Sequence, residues 1–258
     1  MDNTVHSNSF SVTQESEFRR RIIMSNSQLI AGNLKQIQIA VESACARSGR
    51  PEDSVQLVAV TKYAELNWVR DLIKLGKLQL GESRPQQMRQ RVQELPGDVR
   101  WHMIGHLQRN KVDMAVAAAD LIHSVDSLRL LRKIENSAAA AGKQQRLLLE
   151  VNVSGEESKD GFTPDELRSM GPAMVDLQHV VIQGLMTMAP HSDDAESTRP
   201  FFRKLRDLRD ELANSSAGGL SLPELSMGMS GDFEVAIEEG ATLIRIGSRI
   251  FEGLSRTE

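Results

Sequence analysis

Eight short apolar runs, each followed by a helical stretch or, after the last, by a short tail, recur along this 258-residue chain. They are Leu57–Lys62, Leu78–Glu82, Val99–Ile104, Leu121–Val125, Gln145–Val153, Val180–Met188, Leu222–Met227 and Thr242–Ile246. Runs of this length, bounded by polar or turn residues, read as buried strands, because a strand covered on both faces loses the alternation of a half-exposed one. Strands that alternate regularly with helices imply a parallel sheet, since each helix carries the chain back to start the next strand in the same direction. Eight such units in roughly 250 residues predict a single (β/α)8 TIM barrel. An open doubly wound sheet is the competing arrangement, but no Gly-x-Gly-x-x-Gly turn follows the first strand.

The helical periodicity predicts a first helix over Ser27–Arg47 with Ser27 as N-cap. Further helices are predicted over Leu66–Gly76, Arg84–Leu95, Asn110–Ala119, from Asp126 or Ser127 to Gly142, from Thr163 onward, over Ser197–Asn214 and over Asp232–Glu239. Thr163-Pro164-Asp165-Glu166 is the clearest start, with a capping hydroxyl, proline at the first helical position and a carboxylate three residues after the cap. Residues 1–27 are expected to form a disordered tail, with Met24 as a second candidate start; Met1–Glu17 is rich in Ser, Asn, Thr and Gln and lacks the apolar core of a signal peptide. The barrel is expected over residues 28–253 and a short tail over 254–258. A net charge of -4 without a basic stripe argues against nucleic acid. No apolar run approaches the roughly 20 residues of a membrane span. The lone Cys45 excludes an internal disulfide and fits a reducing, cytoplasmic setting.

In a barrel of this kind the site lies at the carboxyl ends of the strands. Those ends carry Lys62, Glu82-Ser83, His106, Asp126, Asn152, Met186-Thr187, Ser226-Met227-Gly228-Met229-Ser230-Gly231 and Arg245-Ile246-Gly247-Ser248. The last two loops combine small residues and hydroxyls where barrels favour phosphate. Strands one and eight adjoin on closure, so Lys62 and the phosphate loops would share one mouth. A lysine beside a phosphate cradle suits an aldehyde-bearing phosphorylated cofactor held as a Schiff base, pyridoxal 5'-phosphate (PLP). Desolvation in the mouth would favour the neutral amine. Arg245, facing the pyridine nitrogen, would keep that nitrogen unprotonated and weaken the ring as an electron sink. His102 and His123 lie within strands and are expected to be structural, and His106 is either a ligand contact or a structural cap. No histidine–carboxylate spacing predicts a metal. Lys159, in the loop from Ser154 to Gly161, is a candidate second amine for the aldehyde.

Several of these stretches resemble a known family. They are Leu57 to Lys62, Gly81-Glu82, Trp101-His102-Met103-Ile104-Gly105-His106-Leu107-Gln108, Asn152-Val153-Ser154-Gly155-Glu156-Glu157-Ser158-Lys159, Gly184-Leu185-Met186-Thr187-Met188, Leu225 to Ser230 and Arg245-Ile246-Gly247-Ser248. Together, over residues 28 to 253, they resemble the pyridoxal phosphate homeostasis proteins, whose fold is similar to the alanine racemase N-terminal barrel. The resemblance implies that Lys62 carries PLP, that Ser226, Gly228, Gly247 and Ser248 hold its phosphate, and that Arg245 meets the pyridine nitrogen. Ser83, Asn152 and Met186 complete the implied cofactor shell. Ser83 departs from the family's Gly-Glu-Asn, so a contact made there by asparagine would be lost or bridged by water. The implied role is that of a monomeric carrier without catalysis, acting in PLP homeostasis and delivering PLP to dependent apo-enzymes. A PLP-dependent amino-acid racemase is the alternative. It needs a second acid/base, which alanine racemases take from a tyrosine of another domain or subunit; Tyr63 is the single tyrosine here, and the sequence stops soon after strand eight. A sugar-phosphate barrel enzyme with a Schiff-base lysine is a third class.

Overall fold

The structure is a computed structural model that describes residues 25–156, 159–170, 177–214 and 221–255. The tail expected over residues 1–27 therefore lies outside the described residues up to position 24. Its predicted boundary moves, because Ser25 already caps the first helix. The Gln28 amide donates to Ser25 Oγ at 3.2 Å and the Ser25 amide to Gln28 Oε1 at 2.9 Å, a reciprocal capping box in place of the expected Ser27 cap.

In chain order the elements are α1 (Asn26–Arg47), β1 (Gln56–Val60), α2 (Leu66–Lys74), β2 (Gln79–Glu82), α3 (Pro85–Glu94), β3 (Arg100–Met103), α4 (Val112–Ala118) and β4 (Leu121–Val125). Then follow α5 (Leu128–Ala140), β5 (Gln145–Glu150), α6 (Pro164–Ser169), β6 (Val180–Met186), α7 (Arg199–Asn214), β7 (Glu224–Ser226), α8 (Phe233–Glu238) and β8 (Leu243–Ile246). The eight strands form a closed parallel barrel in sequence order, with β1 paired to both β2 and β8. The TIM barrel is thus the observed fold.

β2, β4 and β8 end where their apolar runs end, whereas β1, β3, β5, β6 and β7 stop one to three residues earlier. β1 stops at Val60, and Lys62 sits beyond it in a turn closed by the Ala64 amide donating to Thr61 O at 2.8 Å. β5 stops at Glu150; Val151 then makes an isolated bridge with Phe162, tying the base of the 151–162 loop. Sequence runs continue past the ladder because residues at a barrel mouth still pack, although their neighbours have turned away.

Apolar side chains divide into two bodies. The larger lies between strands and helices, while Val58, Leu121, Leu148, Met186 and Leu243 form a separate buried cluster inside the barrel. Among the described residues only turns follow β8, and α1 takes the place of an eighth outer helix. It packs against both α8 and α2, burying Ile30, Leu34, Ile37, Val41, Ala44 and Cys45 along one stripe. Asn33 Nδ2 fixes it to the chain after β8 by donating to Ile250 O and Glu252 O, each at 3.0 Å. On the neighbouring wall, Arg199, Arg203 and Arg206 of α7 converge on the buried Glu239 carboxylate at the end of α8. Among the described residues no helix is long and apolar enough to cross a membrane.

Candidate functional site at the barrel mouth

A cavity of about 890 Å³ opens at the carboxyl ends of the strands. Of the residues expected there, Lys62, Ser83, Asn152, Arg245, Gly247 and Ser248 line it, together with Tyr63, His106, Glu150, Lys159, Met229, Ser230 and Gly231. Ser226, Gly228 and Met186 do not.

The turn that carries Lys62 is gripped from beneath. Arg91 of α3 donates through Nη1 to Thr61 O at 2.9 Å and through Nη2 to Ala64 O at 2.6 Å, so its guanidinium spans the residues flanking the lysine. Glu82, fully buried at the end of β2, accepts from Thr61 Oγ1 at 2.5 Å and from Arg91 Nη1. Burial raises the Glu82 carboxyl above its usual range, against the pull of Arg91, and its Oε2 has no hydrogen-bond partner among the described residues. A buried pair with one orphan oxygen adds little net stability, so fixing the 61–64 backbone is its evident effect. Lys62 itself is exposed. The turn places it on the lip of the cavity. Its ammonium lies 5.1 Å from the Tyr63 ring centroid and has no carboxylate partner among the described residues.

Arg245, on the neighbouring strand β8, is buried within the barrel. It donates through Nη1 to Ser226 Oγ at 2.6 Å and through Nη2 to Thr187 O at 3.0 Å. Desolvation pulls its guanidinium down to about 10, while Glu150 and Asp232 favour its charge. The phosphate role expected for Ser226 is corrected by this geometry. Its hydroxyl is fully buried, receives Arg245 and lies 2.8 Å from His123 Nδ1, leaving nothing to present to the cavity. The period of two explains the difference: Leu225 and Met227 face the outer core, so Ser226 faces the barrel interior. Ser230, beyond the turn, is the hydroxyl of that loop that lines the cavity.

Gly228 makes the turn after β7 possible and does not itself line the cavity. Its φ is +88°, and an added Cβ would fall 2.6 Å from Ala236 Cβ and 2.9 Å from Phe233 Cα. Met186 belongs to the interior apolar cluster, which removes the expected ring contact. Asn152 lines the cavity but spends its amide on the adjacent loop. Its Oδ1 accepts from Ser154 Oγ and the Gly155 amide, both at 3.0 Å, and its Nδ2 donates to Glu156 O at 2.8 Å. Ser83 faces the cavity and is pressed by Gly105, where a Cβ would lie 2.5 Å from Ser83 O.

The far wall is acidic. Glu150 is buried, and desolvation, reinforced by Asp126 and opposed by Arg245, pushes its carboxyl up to about 7. His106 Nδ1 lies 3.3 Å from Asp126 Oδ2 and 3.1 Å from Asp160 Oδ2, three groups far apart in sequence that the fold brings together. Lys159 Nζ pairs with Glu156 Oε1 at 2.8 Å. Glu150 and Arg91 were missed at the sequence level. Glu150 reads as the polar end of an apolar strand, and Arg91 as one more charge on a polar helix.

A closed parallel barrel with a lysine turn, a buried arginine and two glycine–serine loops at its carboxyl mouth defines a class, the barrels built like the N-terminal domain of alanine racemase. The family profile described as "Alanine racemase, N-terminal domain" matches residues 33–254. The Pyridoxal phosphate homeostasis protein of Aquifex aeolicus (strain VF5) is 41% identical over 219 residues, covering 84% of this chain and 95% of that one. Among solved structures, PipY of Synechococcus elongatus PCC7942 with PLP bound is similar at a TM-score of 0.71 and 38% identity, over 83% of this chain and 99% of that chain. An unknown protein from Bifidobacterium adolescentis is similar at a TM-score of 0.82 and 34% identity, over 88% of this chain and 97% of that one. The chain belongs to the pyridoxal phosphate homeostasis protein family.

Proposed function

We propose that this protein binds PLP as a Schiff base on Lys62 and serves in vitamin B6 homeostasis as a non-catalytic, monomeric, cytoplasmic carrier that passes the cofactor to dependent apo-enzymes. The observation that carries this reading is the convergence of three features on one cavity: the amine of Lys62 without a carboxylate partner, the buried Arg245, and the loops Met229–Gly231 and Gly247–Ser248. The donor set fits the group. Hydroxyls of Ser230 and Ser248 and the adjacent loop backbone suit a phosphate. The unpaired amine suits an aldehyde, and a guanidinium can only donate to a ring nitrogen.

When bound, PLP supplies an aldehyde that condenses with a primary amine, releasing water. The chain's own residues do the rest. The Glu82–Arg91 grip fixes the backbone on either side of Lys62, so the amine is presented without ordering a loop on binding. Arg245 remains charged at neutral pH and gives no proton to a ring nitrogen, which favours holding over chemistry. Asn152 shapes the loop that overhangs the mouth.

The racemase reading draws on Tyr63, whose ring lies beside the Lys62 amine on the cavity lip. Adding PLP to the purified protein is expected to produce a visible absorbance band that survives dialysis, and Lys62→Ala to abolish it. A colourless wild type under these conditions would defeat the proposal. Stereochemical assays on a panel of amino acids separate carrier from racemase, turnover favouring the latter.

A further inference from the structure

Beneath Arg245 a chain of hydrogen bonds crosses the barrel interior. Ser226 Oγ lies 2.8 Å from His123 Nδ1, His123 Nε2 lies 2.8 Å from His102 Nδ1, and His102 Nε2 lies 2.7 Å from Gln79 Oε1 near the amino end of β2. Five strands, β2, β3, β4, β7 and β8, thus contribute to one line that ends on Arg245. We propose that His123 and His102 are positioning residues: with Ser226 they form a one-way relay that holds Arg245 in place as the donor facing the cofactor ring. This rests on the PLP reading above.

The direction follows from donor chemistry. A guanidinium has no acceptor, so Arg245 donates to Ser226 Oγ. The Ser226 proton then needs an acceptor, and in this fully buried position the one within reach is His123 Nδ1. His123 must therefore carry its proton on Nε2 and donate it to His102 Nδ1. His102 in turn carries its proton on Nε2 and donates to Gln79 Oε1. The reverse order would leave the serine proton buried without a partner, a state native interiors avoid. Both imidazoles must be neutral for the line to hold, and burial favours that form in each, pulling His102 down to about 4. With Thr187 O on its second arm, Arg245 is held at two points, and three of its five N–H donors stay uncommitted to these partners. A rigid partner line of this kind matters because a long charged side chain would otherwise swing to solvent or to the acidic wall.

The test begins on the wild-type protein without cofactor, by long-range 1H–15N correlation of the histidine rings. Protons on Nε2 and bare Nδ1 atoms at His102 and His123 are expected. A proton on Nδ1 of either ring, or a doubly protonated ring at neutral pH, overturns the relay. The second stage titrates PLP into full-length Ser226→Ala, Arg245→Met and the double variant. Ser226→Ala is expected to weaken PLP binding about tenfold and to shift the visible band in the same direction as Arg245→Met. The double variant should be no worse than Arg245→Met alone. If Arg245→Met shifts the band and Ser226→Ala does not, the positioning role fails while the site reading stands. If Arg245→Met changes neither band nor affinity, the site reading itself has failed and the proposal falls with it. Ser226→Thr, which restores the hydroxyl, is expected to recover the wild-type band.

Discussion

Single residues set the electrostatics of the mouth, and Glu150 is the most informative of them. Its carboxyl stands at about 7 because it is buried beside Asp126, although Arg245 pulls the other way. The folded protein thus keeps a proton that the unfolded chain gives up near 4.5. Stability from this group is full below about 4.5 and is lost as pH rises through about 7. The difference corresponds to at most about 3 kcal/mol. Glu150→Gln is therefore expected to raise the urea midpoint at pH 8 and leave it unchanged at pH 4, and equal midpoints at pH 8 would sink this account. His102 works in the opposite sense. Its imidazole is held neutral down to about 4, so the unfolded chain gains a proton first as pH falls below 6.5, and stability drops on acidification. At this scale the sequence was only partly legible. Lys62 and Arg245 stand out as charges at the ends of apolar strands, and Gly247 and Ser248 as small residues in a loop where barrels favour phosphate. Ser226 and Ser230 look alike in one dimension, and only the facing of β7 tells the buried hydroxyl from the one lining the cavity.

Among the elements, α1 carries the most weight for its position. It precedes every strand yet fills the gap that β8 leaves in the helical ring, and Asn33 pins it to the segment just past the Gly247–Ser248 loop. Asn33→Ala removes two hydrogen bonds from partly exposed carbonyls, a loss of about 1 kcal/mol. A small drop in melting temperature is expected, with weaker PLP binding in direct titration, because the loop proposed to hold the phosphate loses its anchor. An unchanged titration would show that the loop holds its shape without α1. The sequence predicted this helix well, since its apolar stripe is regular, but not its partner. Periodicity says that a face is buried and is silent on what buries it. The same limit explains the relay. His102 and His123 each sit unremarkably in a strand, and their line to Arg245 exists only where β3, β4, β7 and β8 are wrapped around one axis.

For the molecule as a whole, eight apolar runs with helices between them were enough to name the barrel. What they could not name was the closure, which depends on registers and on α1. A chain beginning at Met24 retains Ser25 and Gln28, the complete capping box, and is expected to keep the wild-type melting temperature. A chain beginning at Gly49 lacks the helix covering the β8–β1 side and is expected to lose cooperative thermal unfolding; a sharp transition there would contradict the role given to α1. The seam between β1 and β8 joins Gln56 to Leu243, and Asn33 reaches across 217 residues to Ile250. Such distant pairings are slow to form, because most of the chain must be ordered before they contribute. Lys62 and the Gly247–Ser248 loop sit on the two sides of that seam, so a nascent chain still on the ribosome has no pocket until its final strand has emerged. Only a finished, closed barrel can present that pocket, and a stalled fragment cannot.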